Sequence, residues 1–237
     1  MSDSLQVTHE LIATNLCLQV GKRRLIDNVS LVCRSGQWIQ VVGANGIGKS
    51  TLLRMLVGIT DADEGNILLN IPDQSIDKRS PNILYQGHLH GFKDQLTVIE
   101  NLQLQVALDA SGYQMDAQID ASLSNAIAVV GLTTRSNLAF GKLSAGQKRR
   151  CMLARLVFAN QLLSAVKLCW ILDEPLTALD AEAQQILGAL VAKHLSLGGS
   201  AILATHQDLT ELGLTLPITL NLSELAAGAS QIEEVKR

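Results

Sequence analysis

The sequence lacks a surplus of positive charge, and this absence excludes several classes of protein. Its 237 residues include 19 lysines and arginines against 22 aspartates and glutamates, a net charge of -3. A nucleic-acid-binding protein would present a basic face, so no nucleic-acid partner is expected. Hydrophobic residues make up 47% and charged residues 17%, which also argues against a long disordered arm. The length suits one large domain, or two lobes folded around one core.

Cysteines are few, and none forms a closely spaced pair. The four are Cys17, Cys33, Cys151 and Cys169, with no CxxC motif among them. A chain of this size does not need disulfide bonds, so we expect reduced thiols packed as small apolar groups in a cytoplasmic protein. The same spacing argues against a metal site built from these residues.

Long hydrophobic runs are also missing. No uninterrupted apolar stretch reaches the roughly 18 residues that a membrane-spanning helix needs. The longest candidate, residues 212–222, is interrupted by Gly213, Pro217 and Asn221. The first ten residues contain two acids and no lysine or arginine, which makes them a poor signal peptide. If the protein acts at a membrane, another chain must supply the span.

What is present is a succession of short apolar segments typical of an α/β protein. Residues 11–20 and 25–33 alternate in polarity and predict an antiparallel sheet near the N-terminus. Residues 38–42 form a mostly apolar strand that leads through a glycine-rich turn into a helical pattern. Two later apolar runs, residues 168–172 and 201–204, predict buried parallel strands.

A helical stretch, residues 97–160, lies between two of these strands. It contains two capping boxes, in which a serine or threonine is followed three residues later by glutamate or glutamine. These are Thr97 with Glu100, and Ser144 with Gln147. No internal repeat, low-complexity tract or linker divides the chain, so one domain is expected.

The strongest motif is a glycine-rich loop that matches GxxxxGK[ST]. It comprises Gly43, Ala44, Asn45, Gly46, Ile47, Gly48, Lys49 and Ser50, and Thr51 follows it. Such a loop wraps phosphates with backbone N–H groups, and the following helix directs its positive end at the same anion. We expect Lys49 to reach the β- and γ-phosphates and Ser50 to ligate Mg²⁺. The alternative is a glycine turn without a ligand, which the strand before and the helix after argue against.

Two acids, Asp173 and Glu174, follow a predicted buried strand and precede Pro175. An acid at the carboxyl end of such a strand faces the crevice where ligands bind in α/β sheets. We expect Asp173 to hold Mg²⁺, directly or through water, and Glu174 to orient and polarise the attacking water. Alternatively, the acids only end the strand and Pro175 forces the turn. The glycine-rich loop favours the catalytic interpretation.

The segment Leu143 to Gln147 lies at the start of a predicted helix. It is either an ordinary helix cap or a phosphate site, which would offer Ser144 and free N–H groups to an anion. It resembles the LSGGQ signature of ABC ATPases, with Ala145 in place of the first glycine and Gly146 in place of the second.

Two further residues fit the same order of motifs. His206 follows the next predicted strand, where a lone histidine is usually structural. In the ABC pattern a histidine at this place contacts the γ-phosphate and helps to position the water. Asp180 resembles the acid of the D-loop, which touches the partner subunit, and it also fits a plain helix N-cap.

From about residue 7 to residue 222 the chain resembles an ABC transporter ATP-binding subunit, and most closely the ATP-binding subunit of the cytochrome c maturation heme exporter, the CcmA family. The closer resemblance is carried by Gly87-His88, Gly91-Phe92-Lys93, Leu96-Thr97 and Glu100-Asn101-Leu102, with the LSAGQ and WILDEP forms of the other motifs. It implies an α/β fold: a P-loop NTPase core of the ABC type, with an antiparallel β edge sheet and an α-helical subdomain. The expected boundaries are 5–237 for the single domain, about 5–94 and 161–222 for the core, and about 95–160 for the helical subdomain.

The resemblance also implies an ATPase that uses ATP and Mg²⁺. The implied catalytic residues are Glu174, His206 and Lys49. ATP would lie between the P-loop of one copy and Ser144, Ala145, Gly146 and Gln147 of a second, which makes a homodimer. The implied partners are integral membrane transporter subunits, at the cytoplasmic side of the bacterial inner membrane. The transported heme would bind those subunits and not this chain.

Two departures from the family pattern leave questions open. Counting back from Glu100 places His88 where most ABC subunits have the metal-sensing glutamine, while Gln86 lies two residues earlier. Either residue is therefore a candidate for the Mg²⁺ site. The aromatic residue that usually stacks on adenine falls near Val20, which offers apolar contact without stacking.

Three alternatives to heme export remain at this point. The first is an ABC transporter for another substrate. The second is a soluble ABC ATPase acting on DNA or ribosomes, which the acidic composition and the absence of a heptad run disfavour. The third is a non-hydrolysing regulatory module, which would be expected to lack Lys49 or Glu174.

Overall fold

The computed structural model describes residues 9–71, 74–77, 82–87, 91–109, 116–162 and 168–226. Within these ranges, nine strands form two sheets: β1 (Glu10–Val20), β2 (Arg23–Arg34), β3 (Trp38–Val42), β4 (Glu64–Ile71), β5 (Gln74–Asp77), β6 (Ile83–Gln86), β7 (Cys169–Asp173), β8 (Ser200–Ala204) and β9 (Ile218–Asn221). The antiparallel sheet has the order β2-β1-β4-β5. The second sheet has the order β6-β7-β8-β3-β9, and all its neighbours pair in parallel. The predicted antiparallel edge sheet and buried parallel strands are therefore confirmed.

In the described part of the chain, six α-helices accompany these sheets: α1 (Lys49–Leu56), α2 (Val98–Asp109), α3 (Ala117–Val129), α4 (Ala145–Leu162), α5 (Ala181–Ser196) and α6 (Leu222–Ala226). Both predicted capping boxes are present. The Thr97 backbone N–H donates to Glu100 Oε2 at 2.8 Å, and the Glu100 N–H donates back to Thr97 Oγ1 at 3.3 Å. The predicted helical stretch therefore begins where its first box places it.

Each face of the parallel sheet buries a different layer. One face packs into an apolar cluster with α5 and the helical region, which consists of α2, α3 and α4. Its strand residues include Leu84, Trp170 and Leu172. Cys169, Ile171 and Ile83 pack into the other with α1 and the antiparallel sheet. Because side chains alternate along a strand, neighbouring residues of one strand serve opposite layers. This alternation decides which residues at the strand ends lie on the same side of the sheet as α1.

The sequence patterns did not predict β4, although its burial pattern is regular. Ile67 and Leu69 are buried, while Leu68 and Asn70 between and beside them are exposed. This is the period-two pattern of a strand with one face in the core. The strand was missed because acids, glycines and asparagines surround this short alternation.

The four cysteines are buried and free. Burial raises the pKa of the Cys151 and Cys169 thiols to about 12. They pack as small apolar groups, as predicted. Among the helices that the structure describes, none is long and apolar enough to cross a bilayer.

A polar cluster is buried at the amino end of β8. His9 Nε2 lies 2.8 Å from Ser200 Oγ, and His194 Nε2 lies 3.1 Å from the Ser200 carbonyl oxygen. The His194 ring also stacks on Trp170, with 4.2 Å between ring centroids. Burial lowers the pKa of each imidazole to about 4. Both histidines are therefore neutral in the folded protein at neutral pH.

Acid is expected to destabilise the fold through these two histidines. In the unfolded chain each imidazole titrates near pH 6.5, so between about pH 6.5 and 4 the unfolded state binds more protons. The stability that the neutral imidazoles contribute is present above pH 6.5 and is lost as the pH falls toward 4, at up to about 1.4 kcal/mol per pH unit for each group. Urea unfolding at pH 7.5 and 5.0 measures this loss.

His9→Gln is the matched variant for that measurement. It keeps a polar group beside Ser200 and removes one titrating imidazole, so its free energy of unfolding should depend less on pH. A pH dependence equal to that of the wild type would contradict this assignment.

Candidate nucleotide-binding site

The candidate site lies along the carboxyl edge of the parallel sheet. Because β3, β6, β7 and β8 run in the same direction, their ends lie at one edge. The glycine-rich loop follows β3, Asp173 ends β7, and His206 lies two residues after β8. Residues from distant parts of the sequence are thus brought to the place where α/β sheets bind ligands.

The glycines of the loop adopt backbone conformations that few other residues can. Gly43, Gly46 and Gly48 have φ values of 145°, 76° and 118°. A Cβ at Gly48 would lie 2.9 Å from Ile26 Cδ1, so a side chain there would also collide with β2. Gly48 is the N-cap of α1, and no side chain in the described part of the chain caps that helix. The first N–H groups of α1 are therefore available to an anion.

Lys49 is the point where three parts of the site meet. Its side chain is buried, with the residue only 7% exposed. Nζ donates to the Gly43 carbonyl oxygen at 2.7 Å and lies 3.4 Å from the Ala44 carbonyl oxygen. It also lies 3.0 Å from His206 Nε2. A lysine ammonium only donates, so His206 Nε2 is the acceptor in this contact.

The carboxylates of Asp173 and Glu174 lie in different environments. Asp173 is 3% exposed, and its Oδ1 has no hydrogen-bond partner among the described residues. Glu174 is partly exposed and has a φ of 50°, which β-carbon-bearing residues rarely adopt. Its backbone N–H donates to the Ala204 carbonyl oxygen at 2.9 Å, which fixes the turn to the end of β8.

The sheet register separates Gln86 from Asp173. Leu84 packs with the layer of α4 and α5, and Gln86 continues that face. Asp173 continues the face of Ile171, which packs with the layer of α1. The side chains of Gln86 and Asp173 therefore lie on opposite faces of the sheet. The other candidate for that role, His88, lies outside the described residues.

Sequence reasoning missed two residues that lie near the acids. Tyr85 shares the Asp173 face, and burial together with the Asp173 charge raises the pKa of its phenol. Arg149 is a buried cation on α4, where burial lowers the pKa of the guanidinium and the charges of Asp173 and Glu174 oppose that shift.

The signature segment presents an unobstructed helix start. The Ser144 N–H donates to Gln147 Oε1 at 3.0 Å, and the Gln147 N–H donates to Ser144 Oγ at 3.3 Å, as the capping box predicts. Ser144, Ala145 and Gly146 are exposed. In the described residues no hydrogen bond joins this segment to the glycine-rich loop of the same chain. The nearest heavy atom to a Cβ built at Gly146 is the Ala178 carbonyl oxygen, at 4.0 Å.

The segment after residue 90 is anchored to the helical region by one buried amide. The Asn101 side chain accepts from the Lys93 N–H at 2.7 Å and donates to the Lys93 and Leu96 carbonyl oxygens at 3.0 and 3.1 Å. Phe92 stacks on Phe140 at 5.0 Å between ring centroids. These contacts give a structural reason for the Gly91-Phe92-Lys93 and Glu100-Asn101-Leu102 patterns in the sequence.

Val20, where the family pattern places an aromatic residue, lies at the end of β1 and is 57% exposed. Asp180 is the N-cap of α5, since Asp180 Oδ1 accepts from the Ala183 N–H at 2.9 Å.

The start of α6 supports the glycine-rich loop, because Ser223 Oγ accepts a hydrogen bond from the Ala44 N–H at 3.2 Å.

Comparison with known proteins identifies the family of this chain. Residues 26–177 match the family model described as "ABC transporter". The chain is 37% identical over 201 residues to the cytochrome c biogenesis ATP-binding export protein CcmA of Vibrio vulnificus (strain YJ016), covering 84% of this chain and 93% of that protein. It is 40% identical over 209 residues to the CcmA of Nitrosomonas europaea, covering 87% and 92%.

Solved structures agree on the fold. One described as the structure of the ATP binding subunit of an ABC transporter has a TM-score of 0.68 and 23% identity, covering 83% of this chain and 79% of that chain. A nucleotide-free ATP-binding cassette from an ABC transporter has a TM-score of 0.64 and 20% identity, covering 84% and 82%. The predicted ABC-type α/β fold is confirmed. The chain therefore belongs to the ABC transporter family and, within it, to the CcmA family of cytochrome c biogenesis ATP-binding export proteins.

Proposed function

We propose that this chain hydrolyses ATP as one half of a homodimer and powers heme export in cytochrome c biogenesis through membrane partners. One observation carries the site assignment: Lys49 Nζ lies between Gly43 O and His206 Nε2, at 2.7 and 3.0 Å, on the sheet edge where Asp173 ends β7. The export role is supported by the names of relatives that are 37–40% identical over most of the chain.

The triphosphate is placed in the glycine-rich loop. Backbone N–H groups of the loop and of the first turn of α1 would bind the β- and γ-phosphates. Lys49 would exchange its carbonyl contacts for phosphate oxygens, because a buried ammonium gains more from an anion than from a neutral acceptor. The residues proposed to bind ATP in this way are Gly43, Ala44, Asn45, Gly46, Ile47, Gly48, Lys49, Ser50 and Thr51.

Ser50 and Asp173 are proposed to hold Mg²⁺, with His88 as a third candidate. A buried carboxylate oxygen without a partner is costly unless a cation or donor meets it, and Asp173 Oδ1 has no hydrogen-bond partner within the described part of the chain. Ser50 and Asp173 offer oxygen donors, which Mg²⁺ prefers, so these two residues fit the ion. When bound, Mg²⁺ would neutralise charge on the terminal phosphates.

Hydrolysis then requires a water aligned with the γ-phosphate. Glu174 would accept a hydrogen bond from that water and take its proton. Lys49 would stabilise the negative charge that grows on the phosphate oxygens. His206, adjacent to Lys49 Nζ, would contact the same phosphate and help to orient the water.

A second copy is proposed to complete each site. The Ser144 segment offers an exposed, positively polarised helix start, and it has no hydrogen bond to the glycine-rich loop of its own chain within the described ranges. The segment Ser144 to Gln147 of one copy would therefore bind the γ-phosphate held by the other. ATP would hold the dimer closed, and loss of the γ-phosphate would open it.

Opening and closing would be passed to the membrane partner through the helical region. Residues 91–96 are fixed to the start of α2 by Asn101, and Asp94 forms an ion pair with Lys148 on α4 at 3.5 Å. A displacement of residues 91–96 by the membrane partner would therefore also displace α4, which begins with the Ser144 segment. In this proposal the chain is peripheral, at the cytoplasmic side of the inner membrane, and heme binds the membrane subunits.

The experiment is deletion of the gene for this chain in its own host, followed by complementation. Covalent heme in c-type cytochromes, read by heme staining, should be lost and then restored by the wild type but not by Lys49→Met. Unchanged cytochromes, with ATPase activity in a purified membrane complex, would assign another exported substrate. Co-sedimentation with ribosomes in place of membranes would instead support the soluble ATPase alternative.

A further inference from the structure

The side chain of Gln40 holds the backbone on both sides of His206. Gln40 lies in the middle of β3, and its Nε2 donates to the Thr205 carbonyl oxygen at 3.2 Å and to the Gln207 carbonyl oxygen at 3.0 Å. A primary amide nitrogen carries two N–H groups, so one side chain can serve both acceptors. Through these two bonds, β3 fixes the chain immediately before and after His206.

A shorter-range bond completes the restraint of this turn. Thr205 Oγ1 accepts from the Gln207 N–H at 3.2 Å, and Thr205 itself is buried. The peptide group before His206 is thus held by Gln40, and the peptide group after it by Thr205. Because only the two backbone torsions at a residue lie between its flanking planar peptide groups, fixing both groups fixes the direction in which the imidazole leaves the backbone.

Gln40 lies on the face of the parallel sheet opposite α1. Trp38 belongs to the apolar layer of α4 and α5, and Gln40 continues that face of the strand. The Trp38 indole N–H donates to the Thr215 carbonyl oxygen at 2.9 Å. Trp38 and Gln40 therefore both hold the connection between β8 and β9, residues 205–217, but only Gln40 holds it beside His206.

The imidazole has a second restraint, which bound ATP would remove. His206 Nε2 lies 3.0 Å from Lys49 Nζ, which also donates to the Gly43 carbonyl oxygen at 2.7 Å. When Lys49 turns to the phosphate oxygens, as proposed above, the ring loses this contact. The bonds from Gln40 do not involve the ammonium, so they persist when the γ-phosphate is in place.

We propose, on the basis of the ATPase function proposed above, that Gln40 is a positioning residue that holds His206 at the γ-phosphate. A group that contacts reacting atoms keeps its geometry only when neighbouring side chains support it. His206 follows a strand end and lacks the support of a strand on its own backbone. Gln40 supplies that support from the interior of the sheet, since β3 pairs with β8 on one side and with β9 on the other.

The test removes both donors while nearly keeping the volume of the side chain. In Gln40→Leu we expect kcat for ATP hydrolysis to fall on the order of 10-fold, because small misplacements of a positioned group lower rates steeply. ATP affinity, measured by titration with a labelled analogue, should stay within about twofold, since Gln40 forms no hydrogen bond to the glycine-rich loop within the described residues. If Gln40→Leu does not fold, Gln40→Glu keeps the length of the side chain and, when ionised, donates to neither carbonyl, so it should show the same pattern.

A double-mutant cycle separates positioning from general support of the fold. If Gln40 acts through His206, Gln40→Leu should lower the rate by less than about twofold in a His206→Ala protein. Single-turnover release of radiolabelled phosphate keeps the slow His206→Ala protein measurable. An undiminished loss in that background would overturn the inference, and so would wild-type kcat in Gln40→Leu.

Trp38→Phe is the matched control, since it removes one bond from the same face of β3 to the same connection, at Thr215 and not beside His206. We expect lower thermal stability with wild-type kcat. Equal losses of kcat in Trp38→Phe and Gln40→Leu would indicate a general structural role and contradict the inference. A wild-type chain that hydrolyses no ATP, with or without its membrane partner, would instead overturn the proposed function itself.

Discussion

Glu174→Gln is expected to reduce ATP hydrolysis by roughly 100- to 1,000-fold while leaving ATP binding intact. Glutamine has nearly the same shape as glutamate but accepts no proton, so the attacking water loses its base. The backbone turn at this position, with its bond to Ala204 O, does not depend on the side-chain charge. With the γ-phosphate retained, two copies should remain joined around ATP and Mg²⁺. Phosphate release measures the rate, and size-exclusion chromatography with ATP measures the dimer.

Glu211→Gln is the control for that experiment, because Glu211 is exposed in a short 3-10 helix that packs on α5 and has no assigned role in the site. It should hydrolyse ATP at the wild-type rate and dissociate after turnover. A Glu174→Gln protein that retains wild-type activity would remove Glu174 from catalysis. One that binds ATP yet stays monomeric under every condition would contradict the two-chain site.

Lys49→Ala is expected to weaken ATP binding by roughly 100-fold and to abolish measurable hydrolysis. A hydrogen bond to a charged group contributes about 1.5–3 kcal/mol, and Lys49 is placed to make such bonds to phosphate oxygens. Fluorescence titration with a labelled ATP analogue measures the affinity. Unchanged affinity would show that the glycine-rich loop is not the triphosphate site.

Loss of the buried Lys49 side chain also leaves a space beside Gly43 and His206, so folding needs its own control. Lys49→Met keeps an unbranched apolar stem and removes only the ammonium. Circular dichroism and thermal unfolding of this variant separate lost binding from lost structure. Lys193→Ala, on the exposed face of α5, should match the wild type in both measurements.

Local patterns predicted much of the framework because their causes are local. The box of Thr97 and Glu100, the box of Ser144 and Gln147, and the Asp180 cap each join atoms three residues apart. A helix start of this kind follows from side-chain chemistry alone. The glycine-rich loop was equally predictable, because its positive φ values require glycine at fixed spacing.

The features that were missed depend on contacts between distant residues. Arg150 meets Asp180 and Glu182 only because α4 and α5 pack side by side, and no spacing in the sequence signals that pair. His9 and Ser200 are 191 positions apart. The placement of Gln86 and Asp173 on opposite faces of the sheet depends on the register between β6 and β7. Tertiary placement, not local preference, decided these cases.

The histidine cluster and the nucleotide residues occupy opposite ends of the same strand. Ser200 begins β8 beside His9 and His194, and His206 follows its far end. Five residues of strand separate them by about 16 Å. Lowering the pH therefore destabilises the fold at the histidine cluster, away from the residues proposed to bind the nucleotide. A rate profile recorded above about pH 7.5, where both rings are mostly neutral in the folded and the unfolded state, reports on turnover and not on incipient unfolding.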